Sequence, residues 1–154
     1  MRINLFLAIA ASELLLAGIA SAQEKKIKRS DLPPAVEKTV AAQSAGATIK
    51  GFSTEKENGQ TLYEVEMTVN GRSKDISMTA DGSIVEIEEQ VALDSLSSDV
   101  KAGLQAKAGK GTILRVESLT KKGRLVAYEA RVETNGKKSE VQVGPDGKPL
   151  DHEE

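Results

Sequence analysis

The sequence predicts an α+β protein in which a unit of one helix plus four antiparallel strands occurs twice, as a tandem repeat. Both helices are expected to pack on one face of a continuous antiparallel sheet. The stretch YEVEMTVNG at residues 63–71 returns 65 positions later as YEARVETNG at residues 128–136. Alternating apolar and polar residues are typical of a half-buried strand, and the Asn-Gly that ends each stretch is a strong hairpin signal.

The first 22 residues have the features of a secretory signal peptide. Arg2 supplies a basic start, a long apolar run follows, and Ala20-Ser21-Ala22 matches a cleavage site. Glu13 interrupts the apolar run and disfavours a transmembrane helix. An uncleaved anchor is the alternative. We therefore expect a secreted or periplasmic protein with no stable membrane span after cleavage.

The mature chain divides into an arm and two repeats. Residues 23–30 are polar and basic, and we expect them to form a flexible N-terminal arm. The first repeat is predicted at residues 31–89 and the second at residues 90–154. The connection at residues 90–95 is too short for a flexible linker between independent domains, so the two halves are expected to share one sheet.

Each repeat is expected to open with a short amphipathic helix. Apolar residues recur at every fourth position, as they do along one face of a helix. They are Leu32, Val36 and Val40 in the first repeat and Leu96, Val100 and Leu104 in the second. Two prolines suit the first turn of the first helix. Both helices are therefore predicted to bury one apolar face.

The strands that follow are predicted to pair through tight turns. A two-residue loop at residues 70–71 places Val65 opposite Ile76 and Tyr63 opposite Met78. The same counting from the turn at residues 135–136 places Ala130 opposite Val141 and Tyr128 opposite Val143. Each hairpin then has one apolar face, and both tyrosines are expected to pack in the core.

A fourth strand is predicted to close each repeat. Residues 84–89 have a clear strand pattern, whereas residues 149–154 contain Pro149 and can form only an edge strand or a tail. The remaining face of the sheet is expected to be polar.

The composition gives no support for catalysis, a cofactor or nucleic-acid binding. The chain has no cysteine and a single histidine, His152, in an acidic C-terminal segment. We found no catalytic motif, and a chain end cannot fix the ligands of a metal site. A net charge of −2 with 29% charged residues does not suggest nucleic-acid binding. We therefore expect no catalytic residues, no resident metal and no cofactor.

Acidic residues gather on the polar face of the first repeat. The hairpin register places Glu66 opposite Asp75, and like charges facing each other across strands are unfavourable. In the second repeat Arg131 faces Glu140. The predicted partner-binding residues are Glu64, Glu66, Asp75, Glu86 and Glu88. They could meet a basic partner or a weakly bound Ca²⁺ ion, or they could simply form a solvated face whose repulsion water and salt screen.

The order of these motifs resembles the PepSY-like domain family. The residues involved are Leu32-Pro33 at a helix start, Tyr63 to Glu66, Asn70-Gly71 and Asp81 to Val85. In tandem form this family is similar to the β-lactamase-inhibitor-protein architecture, and the resemblance spans about residues 30–154. The second repeat departs from it at Leu96-Ser97 and Pro149.

The resemblance implies an exported bacterial module that binds a protein or peptide of unknown identity through its sheet. It further implies an inhibitor or modulator of an envelope or secreted enzyme such as a protease. The alternative is an envelope sensor of a cation or small ligand that uses the acidic face. The sequence specifies no oligomeric state.

Overall fold

A computed structural model describes residues 24–154 as one eight-stranded antiparallel sheet with two α-helices. The strands are β1 (Lys25–Ile27), β2 (Thr48–Glu57), β3 (Gln60–Val69), β4 (Arg72–Met78), β5 (Ile84–Val91), β6 (Thr112–Lys121), β7 (Arg124–Thr134) and β8 (Lys137–Val143). The helices are α1 (Pro34–Gln43) and α2 (Ser98–Ala108). Each strand pairs with the next one along the chain, so the order across the sheet is the order in sequence.

The prediction of a tandem repeat of one helix plus four strands was wrong. One strand precedes α1, four lie between the helices, and only three follow α2. Residues 149–154 form no strand, which agrees with the missing N–H of Pro149. At the other edge, Lys25–Ile27 pair with β2, where a flexible arm was expected. That pairing satisfies backbone groups that an exposed edge strand would leave open.

Two further predictions concern the membrane. The predicted signal peptide, residues 1–22, lies outside the described residues. Within residues 24–154 no helix has both the length and the apolar character needed to cross a bilayer.

Both helices bury the apolar faces that their sequences predict, but each begins two residues later than predicted, after Leu32 and after Leu96. Pro34 occupies the first turn of α1, where its missing N–H costs nothing. At the start of α2 the hydroxyl of Ser97 accepts a hydrogen bond from the Val100 N–H at 3.3 Å. The side chains that the spacing marks as apolar are buried, namely Val36 and Val40 in α1 and Val100 and Leu104 in α2.

The hairpin registers are confirmed. Val65 pairs with Ile76 and Tyr63 with Met78 in the first, and Ala130 pairs with Val141 and Tyr128 with Val143 in the second. Their apolar faces form two clusters, one under each helix, and both tyrosines pack against them. Ile76 is completely buried. We call the sheet face that points away from the helices the open face.

The turn after β8 packs tightly against α2. Gly147 has a φ of +79°, and a Cβ added there would overlap the backbone oxygen of Asp99 in the first turn of the helix. The turn is closed by hydrogen bonds from the Gly144 N–H to the Lys148 oxygen at 2.8 Å and from the Gly147 N–H to the Gly144 oxygen at 2.9 Å. This turn sets the direction in which the C-terminal residues leave the sheet.

Candidate functional site

Four of the five predicted site residues meet on the open face. The register places Asp75 beside Glu88, and Ser77 lies between Glu64 and Glu86. These side chains line a cavity of about 120 Å³, whose walls are Glu55, Glu64, Asp75, Ser77, Glu86 and Glu88. We call its five acidic residues the carboxylate cluster. The fifth predicted residue, Glu66, pairs with Asp75 as expected but lies outside this cavity.

Crowding and burial make ionisation of the cluster unfavourable. Burial raises the pKa of Glu64 to about 7, and the charge of Asp75 adds to the effect. Burial raises the pKa of Glu88 to about 8, with repulsion from Glu86 as the next cause. The pKa of Asp75 rises to about 6 through burial and through the neighbouring charge of Glu117. Near neutral pH the cluster therefore holds protons that ordinary surface carboxylates would have lost.

Sequence reasoning missed two acidic residues of this region, Glu55 and Glu117. Glu117 is only 4% exposed and extends the cluster from β5 onto β6. Its carboxylate accepts a hydrogen bond from the Ser73 hydroxyl at 3.0 Å and forms an ion pair with Arg115 at 3.0 Å. The alternation of apolar and polar residues along β6 already places Glu117 on the polar face. The sequence does not reveal that β6 lies beside β5, because α2 separates the two strands in the chain.

The open face also contains a small buried apolar patch. Leu62, Leu119 and Ala127 alternate with core-facing neighbours, so they point away from the helices. They are nevertheless between 0% and 4% exposed, and they belong to neither core cluster. The expectation that this face is simply polar was therefore incomplete.

Charges on the second half of the open face are paired. Arg131 contacts Glu140 at 2.6 Å, and Glu133 lies opposite Lys138, both as the register predicts. Gln142 donates a hydrogen bond to Glu129 at 2.8 Å. Negative charge is thus in excess on β3 to β5, although Lys121 lies 3.3 Å from Glu86 and Arg115 pairs with Glu117 at the border.

Comparison with known proteins identifies the fold. No protein-family model matches the sequence, and no curated protein matches it. A solved DUF2874 family protein of Bacteroides ovatus is 18% identical with a TM-score of 0.59, covering 77% of this chain and 84% of that one. A candidate periplasmic protein of Bacteroides eggerthii is 17% identical with a TM-score of 0.62, covering 77% and 86%. A BLIP-like protein of Bacteroides fragilis is 19% identical with a TM-score of 0.55, covering 75% and 81%.

These similarities show that the chain shares the architecture of BLIP-like proteins. They concern the fold alone, and membership of the PepSY-like family stays a prediction.

Proposed function

We propose that this protein is an exported, non-enzymatic module that binds a basic protein or peptide on its open face, through the carboxylate cluster. The observation that supports this most is the crowding of Glu64, Asp75, Glu86 and Glu88 around one small cavity. Such crowding destabilises the free protein, and groups of this kind are frequent at functional sites. A cationic side chain placed over the cluster would relieve the repulsion.

The dimensions of the cluster fit a lysine or arginine head group. Pockets for small-molecule substrates usually measure about 300–1,000 Å³, and this cavity has only about 120 Å³. Its lining offers carboxylates and one hydroxyl, Ser77, which are hydrogen-bond acceptors for an ammonium or guanidinium group. The size argues against a catalytic pocket and for the capture of one side chain of a larger partner.

The predicted signal peptide and the fold support the proposed cellular role. A periplasmic or secreted location agrees with the description of the Bacteroides eggerthii neighbour. The BLIP-like neighbour and the resemblance to PepSY-like domains favour an inhibitor or modulator of an envelope or secreted enzyme such as a protease. In this role the module would act by occupying a basic surface of its target.

Neutralising the cluster should weaken binding of a cationic probe. We expect the E64Q/D75N variant to bind a short lysine-rich peptide about tenfold or more weakly than the unaltered protein, because it lacks two carboxylates that would face the bound cation, and tenfold corresponds to only about 1.4 kcal/mol. Calorimetric titration near neutral pH measures the change. Thermal unfolding should show that the variant is folded and at least as stable.

The matched control is E133Q/E140Q, which removes two charges from the same face where they lie opposite Lys138 and Arg131. It should bind the peptide nearly as well as the unaltered protein. Equal loss of binding in both double variants would mean that the peptide senses only net charge, and the cluster would not be the binding site.

A second candidate function is a cation sensor. One carboxylate oxygen from each of Asp75, Glu88 and Glu117 lies within 4.8 Å of the others. Oxygen ligands of this kind suit Ca²⁺. However, Ser73 and Arg115 already contact the Glu117 carboxylate, so a metal would have to displace or tolerate them.

If the sensor function is correct, millimolar Ca²⁺ should raise the melting temperature by several degrees, because a ligand that binds only the folded state stabilises it. Mg²⁺ at the same concentration is the control. An unchanged melting temperature with Ca²⁺ would dismiss this candidate.

A further inference from the structure

The last residues of the described chain return to the open face. After the turn at residues 144–147, Glu154 reaches β8 and donates its backbone N–H to the side-chain oxygen of Gln142 at 2.9 Å. The Glu154 carboxylate lies 3.7 Å from the Lys121 ammonium at the end of β6. The C-terminal residues are therefore held at two points.

Both anchors are connected to the candidate site. Gln142 is only 6% exposed and is itself fixed by its hydrogen bond to Glu129. Lys121 lies 3.3 Å from Glu86, a member of the carboxylate cluster. Glu154 thus contacts a buried amide on one side and shares a lysine with the cluster on the other.

A second cavity joins the two regions. It has a volume of about 250 Å³, and Glu154 forms part of its wall together with Leu62, Val85 and Lys121. Its wall also includes Glu55, Ser77 and Glu86, which line the smaller cavity of the cluster as well. The two cavities are therefore adjacent, and Glu154 is part of the wall of the larger one only.

We infer that residues 151–154 act as a strap that covers this end of the open face and that a bound partner displaces. This inference rests on the proposed function, because it assumes a partner that lies along the same two cavities. The strap is an autoinhibitory contact: while Glu154 holds Gln142 and Lys121, it occupies part of the larger cavity that an extended peptide bound at the cluster would also enter. Within residues 24–154, displacement leaves Lys121 paired with Glu86 alone.

Removing the strap should tighten binding of the lysine-rich peptide. We expect the chain that lacks residues 151–154 to bind roughly 3- to 10-fold more tightly, which corresponds to losing one weak ion pair and one hydrogen bond that compete with the partner. Tighter binding would distinguish the strap from a general charge effect, because this truncation also removes the acidic residues Asp151, Glu153 and Glu154. If only general electrostatic attraction mattered, losing these negative charges would weaken binding of the cationic peptide.

The control is D151N/E153Q, which removes two of these charges and leaves Glu154 in place. Both residues are exposed. This variant should bind the peptide equally or slightly more weakly than the unaltered chain. If the truncated chain also binds equally or more weakly, the strap does not compete with the partner and the inference is overturned.

A measurement without any partner tests the strap separately. The ¹⁵N heteronuclear NOE of Glu154 in the free protein should approach that of the strands, and it should drop in the Q142A variant, which removes the acceptor. A value typical of a free chain end in the unaltered protein would overturn the inference even if the peptide binds. If Glu154 is rigid but no form of the chain binds the peptide, the proposed function fails, and the displacement fails with it.

Discussion

The free energy of unfolding should decrease as the pH rises from about 5 to about 8, with the steepest loss between the raised pKa values of the cluster. Glu64, Asp75 and Glu88 have folded-state pKa values of about 7, about 6 and about 8, all above the ordinary values of 4.5, 3.8 and 4.5. Over this range the folded state binds more protons than the unfolded state. The stabilisation that these three carboxyl groups give the folded state is therefore complete below about pH 4, and it is lost as the pH rises through their folded-state pKa values.

The expected loss is large for a domain of this size. One unit of pKa shift corresponds to about 1.4 kcal/mol. Because these side chains are partly exposed to solvent and titrate together, we expect a total of roughly 2–4 kcal/mol rather than the full sum. Carboxylates with a lowered pKa, such as Glu37 beside Arg29, act in the opposite direction, but mainly at lower pH. Urea unfolding at several pH values measures the slope.

Glu88→Gln should remove much of this pH dependence. Above about pH 8 the variant should be more stable than the unaltered protein by about 1–2 kcal/mol, and near pH 5 it should differ little. Glu140→Gln is the control, because it breaks an exposed pair with Arg131 and should cost at most about 1 kcal/mol at both pH values. A Glu88→Gln variant that is less stable above pH 8 would show that the Glu88 charge is stabilised rather than penalised, which contradicts our description of the cluster.

Gly147→Ala should destabilise the fold more than any of the single charge substitutions. The residue has a φ of +79°, and an added Cβ would overlap the backbone of Asp99 and Val100 in α2. Backbone cannot move aside as a flexible side chain can. We therefore expect a loss of about 3 kcal/mol or more in the free energy of unfolding.

The matched control is Gly136→Ala in the turn between β7 and β8. Gly136 has a similar φ of +75°, yet no atom lies within 4 Å of the added Cβ. Only the backbone strain remains, at about 1–2 kcal/mol. Urea unfolding of both variants separates strain from overlap. Equal losses would mean that the turn after β8 is not packed on α2, and the path of the C-terminal strap would then be wrong.

Local pairing was predictable from the sequence because it depends on short-range rules. The Asn-Gly turns fix the register of both hairpins, and that register brings Glu66 opposite Asp75 and Tyr63 opposite Met78, as the structure shows. The helical faces at Val36 and Val100 follow from their four-residue spacing. In each case the partners lie close together in the chain, so few alternatives compete.

Long-range pairing was not predictable in the same way. β1 pairs with β2 although α1 lies between them in the chain, and β6, which holds Glu117, pairs with β5 although α2 lies between them. The internal similarity of the sequence favoured four strands in each half. The edge of β2 was instead covered by Lys25–Ile27, and no strand follows β8 in the described residues, where Pro149 lacks an N–H for pairing. The raised pKa values depend on burial, which the pattern of charges alone does not reveal.

The proposed function requires that the carboxylate cluster binds a cationic group. The most direct test repeats the calorimetric titration with the lysine-rich peptide near pH 7 in two buffers of different ionisation enthalpy. A cation bound beside Glu64, Asp75 and Glu88 lowers their pKa values, so binding should release protons, and the measured heat should depend on the buffer. The E64Q/D75N variant should release fewer. Tight binding with the same heat in both buffers would show that the peptide binds elsewhere, and it would contradict this account.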